Sequence, residues 1–221
     1  MQRHRNRHPS PGARRRVLRT LSAVALAAVA MPAVVVRAQP AVPPPTPSQT
    51  EGPFYPRTMP ADRDADLTRV VGRNAAAQGT RLYFTGRVLA RDGRPQAGAT
   101  VELWQCDAFG RYHHAGDDGE PRDDNFQGYG ATTADAEGRY AFKTIRPVAY
   151  GGRPPHLHLK VRAAGSRVLT TQVYIKGDST DGDQVLAWSP KGTLERLTMT
   201  LAPVPGREAG ALAGTFEVVL P

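Results

Sequence analysis

From Arg81 to the C-terminus the chain is a succession of short runs in which apolar and polar positions alternate with period two. The runs are RLYFTGRVLA (81–90), GATVELWQCD (98–107), GRYAFKTI (138–145), HLHLKVRA (156–163), RVLTTQVYIK (167–176), LERLTMTLAP (194–203) and GTFEVVLP (214–221). Each is rich in β-branched and aromatic residues. Gly, Pro and Asp clusters such as RDGRPQAG and DAEGR separate them, which is the punctuation of strands joined by turns. No segment has an apolar stripe of period 3.6. The pattern predicts an all-β fold, an antiparallel β-sandwich preceded by an irregular N-terminal arm.

Upstream of the strands the composition changes twice. Residues 39–49, QPAVPPPTPSQ, read as a Pro-rich linker. Residues 50–78 are irregular and polar except for EGPFYP, whose Pro and aromatic content suits an anchored loop. Residues 1–38 read as an export signal: a basic segment, an apolar run from Leu21 to Val36, and Val36-Arg37-Ala38 as a small-residue cleavage site. Arg14-Arg15, followed by Arg16, Val17 and Leu18, fits the twin-arginine pattern for export of folded proteins. The expected destination is the periplasm or the extracellular space. The apolar run is short for a membrane span and broken by Pro32, so no stable span is expected after cleavage. This leader also explains the charge. It carries eight arginines and no Lys, Asp or Glu, so eight of the nine net positive charges lie in it, and a nucleic-acid partner loses its support. The expected organisation is therefore 1–38 signal, 39–49 linker and 50–221 β-sandwich domain.

The β-pattern by itself cannot tell an enzyme from a binding module. Transthyretin (prealbumin)-like and carboxypeptidase-regulatory sandwiches resemble this chain in "DG.P..GA.V.L" and in the hairpin TTADAEGRYAF. Only side chains that a spacer would not need can discriminate. His156 and His158 stand two apart in a strand, so both point to one face, and neutral imidazole is a common transition-metal ligand. No Cys pair is available. Cys106 is the only cysteine and reads as a small buried filler. The acidic stretch GDDGEPRDDN lacks calcium-loop spacing. What lies near is tyrosine: Tyr150, six residues before His156, and Tyr112 in FGRYHH. A phenol with a free pKa near ~10 is a poor ligand for zinc or magnesium, whereas ferric iron is hard and charged enough to ionise it. Tyr83, Tyr140 and Tyr174 read as core.

Five motifs in order, TPSQTEGPFYP, VELWQCDAFGRYHH, DDNFQGYGATTADAEGRYAFKTIRPVAY, RPPHLHLKV and LTTQVYIKGD, resemble the intradiol ring-cleavage dioxygenases, in particular the protocatechuate 3,4-dioxygenase-like branch. The resemblance implies a mononuclear non-haem Fe(III) held by Tyr112, Tyr150, His156 and His158. It implies Arg153 and Gln172 as catalytic and substrate-binding residues, Tyr150 as ligand and base, and Gly52 and Pro53 as a segment over the substrate. Its substrates would be O2 and a catechol-type aromatic, opened to a cis,cis-muconate-type diacid in aromatic catabolism. The stretch GGRPP between Tyr150 and His156 is shorter than the family's loop. Two other readings remain at this stage: a sandwich that binds without turnover, and a copper enzyme using the same Tyr and His set. A homo-oligomer is compatible with the sequence.

Overall fold

The computed structural model describes residues 43–113, 117 and 119–221; the expected export signal lies outside the described residues. Among the described residues, nine strands form two sheets: β1 Arg81–Leu89, β2 Thr100–Trp104, β3 Tyr129–Thr133, β4 Arg139–Ile145, β5 His156–Arg162, β6 Leu169–Ile175, β7 Thr198–Met199, β8 Leu201–Pro203 and β9 Leu212–Val219. One sheet has the order β4-β1-β9-β8 and the other β3-β2-β5-β6-β7. Two single-turn helices, α1 Gln184–Ala187 and α2 Thr193–Arg196, lie between β6 and β7. Among the described residues, no helix is long and apolar enough to cross a membrane.

The period-two pattern sorts side chains as expected. Leu82, Phe84 and Val88 of β1 and Val101, Leu103, Leu157, Leu159 and Val161 of β2 and β5 are buried in one core shared by both sheets. At ~1.5–3 kcal/mol per buried side chain, this layer dominates the stabilisation of the fold. The all-β expectation is met, but the sheets are mixed rather than purely antiparallel. β9 enters between β8 and β1, antiparallel to the first and parallel to the second, and β7 runs parallel to β6. The run 194–203 supplies α2, β7 and β8 instead of one strand, and β3 lies in a stretch with little apolar alternation. Tyr140 and Tyr174 are core residues; Tyr83 is not. It occupies an outward position of β1, donates to Glu208 and lies under the Arg207 guanidinium.

The outer face of the β5 sheet is covered by the N-terminal arm of the same chain. Thr46 N–H donates to Val219, Gln49 N–H to Thr170, and Gln172 Nε2 to the carbonyl of Thr50. Tyr55 Oη donates to Glu102 at 2.6 Å and its ring packs edge-on to Trp104. Cover on both faces explains why His156, Leu157, His158 and Leu159 are buried in succession. The strand face that carries the two histidines is thereby buried beneath the arm.

Candidate metal centre

The β-ladder fixes what stands beside the two histidines. His158 is opposite Trp104 of β2 and Gln172 of β6, and His156 is opposite Tyr174. Trp104 stacks on the His158 ring at 4.8 Å with the planes 13° apart. His156 Nδ1 lies 2.7 Å from the carbonyl oxygen of Pro154. A carbonyl only accepts, so Nδ1 carries the hydrogen and Nε2 presents its lone pair. His158 Nε2 is 3.1 Å from that lone pair, and His158 Nδ1 is buried without a partner. Neither tautomer of His158 satisfies both nitrogens: a hydrogen on Nε2 leaves Nδ1 without a donor, and a hydrogen on Nδ1 sets two lone pairs against each other.

Two loops bring the tyrosines to the same place. Tyr150 and Arg153 exchange backbone hydrogen bonds across Gly151-Gly152, both at positive φ, which makes the two-residue turn that only such residues close easily. This turn, not a long loop, sets Arg153 beside Tyr150. Tyr112 follows a tight turn held by the buried Asp107 carboxylate, which accepts from the backbone N–H groups of Phe109, Arg111 and Asp123 and from the His113 ring. Burial alone would raise the Asp107 pKa; the donors, the His113 ring first, outweigh it and hold the pKa low. Gly110 in that turn has φ +77°, and a Cβ there would meet Tyr150 Cβ at 3.1 Å. Phe54 of the arm stacks on Tyr112 at 4.4 Å.

The polar atoms then form a chain. Tyr112 Oη donates to Tyr150 Oη at 3.2 Å, Tyr150 Oη is 3.4 Å from His156 Nε2, and His156 Nε2 is 3.1 Å from His158 Nε2. Gly52 lies over this group, with its Cβ position 3.7 Å from His158 Cε1; Pro53 is exposed. Arg153 is not a free surface cation. Its Nε and Nη2 reach the two Asp183 oxygens at 3.0 and 3.2 Å, and Nη2 also donates to Gln172 Oε1 at 2.6 Å and Tyr174 Oη at 3.2 Å. An open cleft of about 350 Å³, lined by Tyr150, Gly151, Gly152, Arg153, Ser179 and Asp181, borders the group.

A family profile described as "Dioxygenase" matches residues 50–221. The chain belongs to the intradiol ring-cleaving dioxygenases. It is 39% identical over 168 residues to the protocatechuate 3,4-dioxygenase beta chain of Burkholderia cepacia, covering 71% of each chain. It is 35% identical over 152 residues to catechol 1,2-dioxygenase 2 of Acinetobacter lwoffii, spanning 60% of this chain and only 52% of that relative. Among solved structures it resembles the dioxygenase domain of a dioxygenase carbohydrate-binding protein fusion from Streptomyces sp. SirexAA-E, with TM-score 0.62, 29% identity and coverage of 80% and 98%.

Intradiol dioxygenases are iron proteins, and this chain's side chains fit a metal. Nitrogen and oxygen ligands ~2.0–2.2 Å from one ion, at angles of roughly 90–110°, stand about 2.9–3.4 Å apart. The three spacings above have that size. A cation also removes the lone-pair conflict between His156 and His158. Burial and then the Arg153 charge lower His156 to about 4; burial, His156 and Arg153 take His158 well below its ordinary value. Both rings are neutral near pH 7, as ligands must be. Burial raises Tyr112 and Tyr150, so without a metal both phenols keep their protons. A bound multivalent cation inverts that preference. Cys106 takes no part: burial pushes its thiol up to about 12.

Of the intradiol-type residues expected from sequence, Tyr112, Tyr150, His156 and His158 come together, and Arg153 and Gln172 stand beside them in contact with each other. Sequence reasoning missed Trp104, Phe54, Asp107 and Asp183. Phe54 had a signal in the aromatic arm motif, and Trp104 had one in its parity along β2. Asp183 had none.

Proposed function

We propose that the chain is an exported Fe(III)-dependent intradiol dioxygenase. It inserts both atoms of O2 between the two hydroxylated carbons of a catechol and yields a cis,cis-muconate-type diacid. The observation that carries this reading is the run of Tyr112 Oη, Tyr150 Oη, His156 Nε2 and His158 Nε2 at mutual spacings of 3.2, 3.4 and 3.1 Å. Two phenols beside two neutral imidazoles suit a hard trivalent ion and suit zinc or magnesium poorly. Export rests on the basic leader and its Arg14-Arg15 pair.

Iron bound here would act as a Lewis acid that holds the catechol oxygens and activates the ring toward O2. The chain's own residues do the rest. His156 and His158 stay neutral and fixed, the first by Pro154 and the second by the Trp104 stack. Tyr150, at the rim of the open cleft, is placed to take a catechol proton on its Oη as the substrate binds. Tyr112, fully buried beneath Phe54, has no such access and stays a fixed ligand. Arg153 offers N–H donors to the anionic ring, oriented in advance by Asp183 and Gln172. The arm, through Gly52 and Phe54, keeps bulk water from the histidines.

The test is direct. Purified protein loaded with iron should be coloured by tyrosinate-to-metal charge transfer and should consume O2 with a catechol, giving ring-opening absorbance. Stoichiometric copper in place of iron, or a coloured protein that opens no catechol in a broad panel, would sink the proposal.

A further inference from the structure

Among the described residues, every Lys and Arg carried by β5 and by the two loops that bring the tyrosines already faces a carboxylate. Lys160 pairs with Glu51, Arg162 with Glu102, and Arg111 reaches Asp117 at 3.6 Å. Arg153 is the one closest to the ligands, since Gln172, which accepts from its Nη2, stands opposite His158 in the ladder. Its partner Asp183 is fully buried at the side chain. Asp183 uses both oxygens, and Oδ1 accepts the N–H of Val185 as well, capping α1. Arg153 Nη1 makes none of these bonds. The pair therefore presents an oriented N–H donor with little net charge behind it.

We propose that Asp183 sets both the position and the effective charge of Arg153 and thereby selects catechols that lack a ring carboxylate. The inference rests on the reading of the centre as an iron dioxygenase. A chelated catechol needs a directed donor beside its oxygens, which an anchored guanidinium gives at small entropic cost. A further carboxylate on the ring needs more. It loses its water on entering the chamber and requires an uncompensated cation to replace it. The cations named above are all spoken for, and Asp183 itself repels a second anion that approaches Arg153.

Asp183→Asn separates charge from geometry. Asn caps a helix about as well as Asp and can still accept from Arg153, but it no longer cancels the guanidinium charge. Asp183→Ser also keeps the cap and lets go of Arg153. On iron-loaded protein without O2, calorimetry gives affinities for catechol and for 3,4-dihydroxybenzoate; with O2, kcat and KM follow for each. The unmodified protein should bind catechol at least about tenfold more tightly than the carboxylated ring. Asp183→Asn should shift that ratio by about tenfold toward 3,4-dihydroxybenzoate, with iron content and visible band unchanged. Asp183→Ser should lose kcat on catechol far more than it changes KM, and Asp183→Glu should restore part of it. An unmodified protein that prefers 3,4-dihydroxybenzoate overturns the proposal even if no variant folds. An Asp183→Asn protein with the original ratio overturns it too. Failure of the loaded protein to bind or open either catechol is a different result, which removes the dioxygenase reading and this inference together.

Discussion

Arg153→Ala removes a guanidinium that is only 18% exposed and strands the buried Asp183 carboxylate opposite it. Deleting one partner of a buried pair costs ~3–5 kcal/mol, most of it from the charge left behind. Here the arginine is partly solvated, and Asp183 keeps the Val185 N–H at 2.9 Å, so the loss should lie near the lower end, about 3 kcal/mol. Gln172 is not orphaned, because Tyr174 Oη still donates to its Oε1 at 2.9 Å. Turnover should fall separately, by on the order of a hundredfold, the effect of removing a donor that stabilises developing charge. The double variant Arg153→Ala/Asp183→Asn distinguishes the two losses. It should regain most of the stability, since no bare carboxylate remains, and none of the turnover. Urea unfolding of metal-free protein reads the first quantity and O2 uptake with catechol the second. A single variant within about 0.5 kcal/mol of the parent, or a double variant that recovers turnover, would refute the reasoning.

Three further outcomes are expected. His158→Ala should lose both iron and the visible band; retention of stoichiometric, coloured iron would remove His158 from the ligand set. Metal-free protein should lose stability as the pH drops from about 6.5 to 4. In that window the unfolded His156 binds a proton and the folded one, lowered to about 4, does not, a difference of about 3 kcal/mol to which His158 adds in the same direction. A urea midpoint unchanged between pH 7 and pH 4.5 would contradict the burial of neutral rings. Replacing Arg14 and Arg15 by Lys should hold the precursor in the cytoplasm; normal accumulation outside it would exclude the twin-arginine route.

How far the sequence discloses the fold depends on whether a feature is local. Alternation along 81–90 and 156–163 locates β1 and β5 closely, because a strand with one core face writes that face into every second residue. The parallel placement of β9 beside β1 depends on how distant segments share a sheet, and no local pattern records it. The site divides in the same way. The two histidines share a face by parity alone, and Tyr150 and Arg153 are joined by a turn that Gly-Gly makes explicit. Asp183 comes from 30 residues beyond Arg153 and from another element, so on sequence alone Arg153→Ala looks neutral for folding. The arm is intermediate. Its aromatic motif marks it as anchored, but only tertiary contacts reveal that it closes over its own chain and turns a polar strand face into an interior.

That closure has a temporal side. Thr46 donates its N–H to Val219, and Val219 returns its own N–H to the Thr46 hydroxyl, so the two ends of the described residues are tied to each other. Synthesis runs from the N-terminus. The segment that roofs the histidines is therefore made before everything it docks on: Glu102 of β2, Lys160 of β5, Thr170 and Gln172 of β6 and, latest of these, Val219 of β9. The cover over the histidines is complete only once β9 is in place. A translocation route that threads an unfinished or unfolded polypeptide would have to assemble the site, and fill it with metal, on the far side of the membrane; a route that accepts folded cargo could do both beforehand.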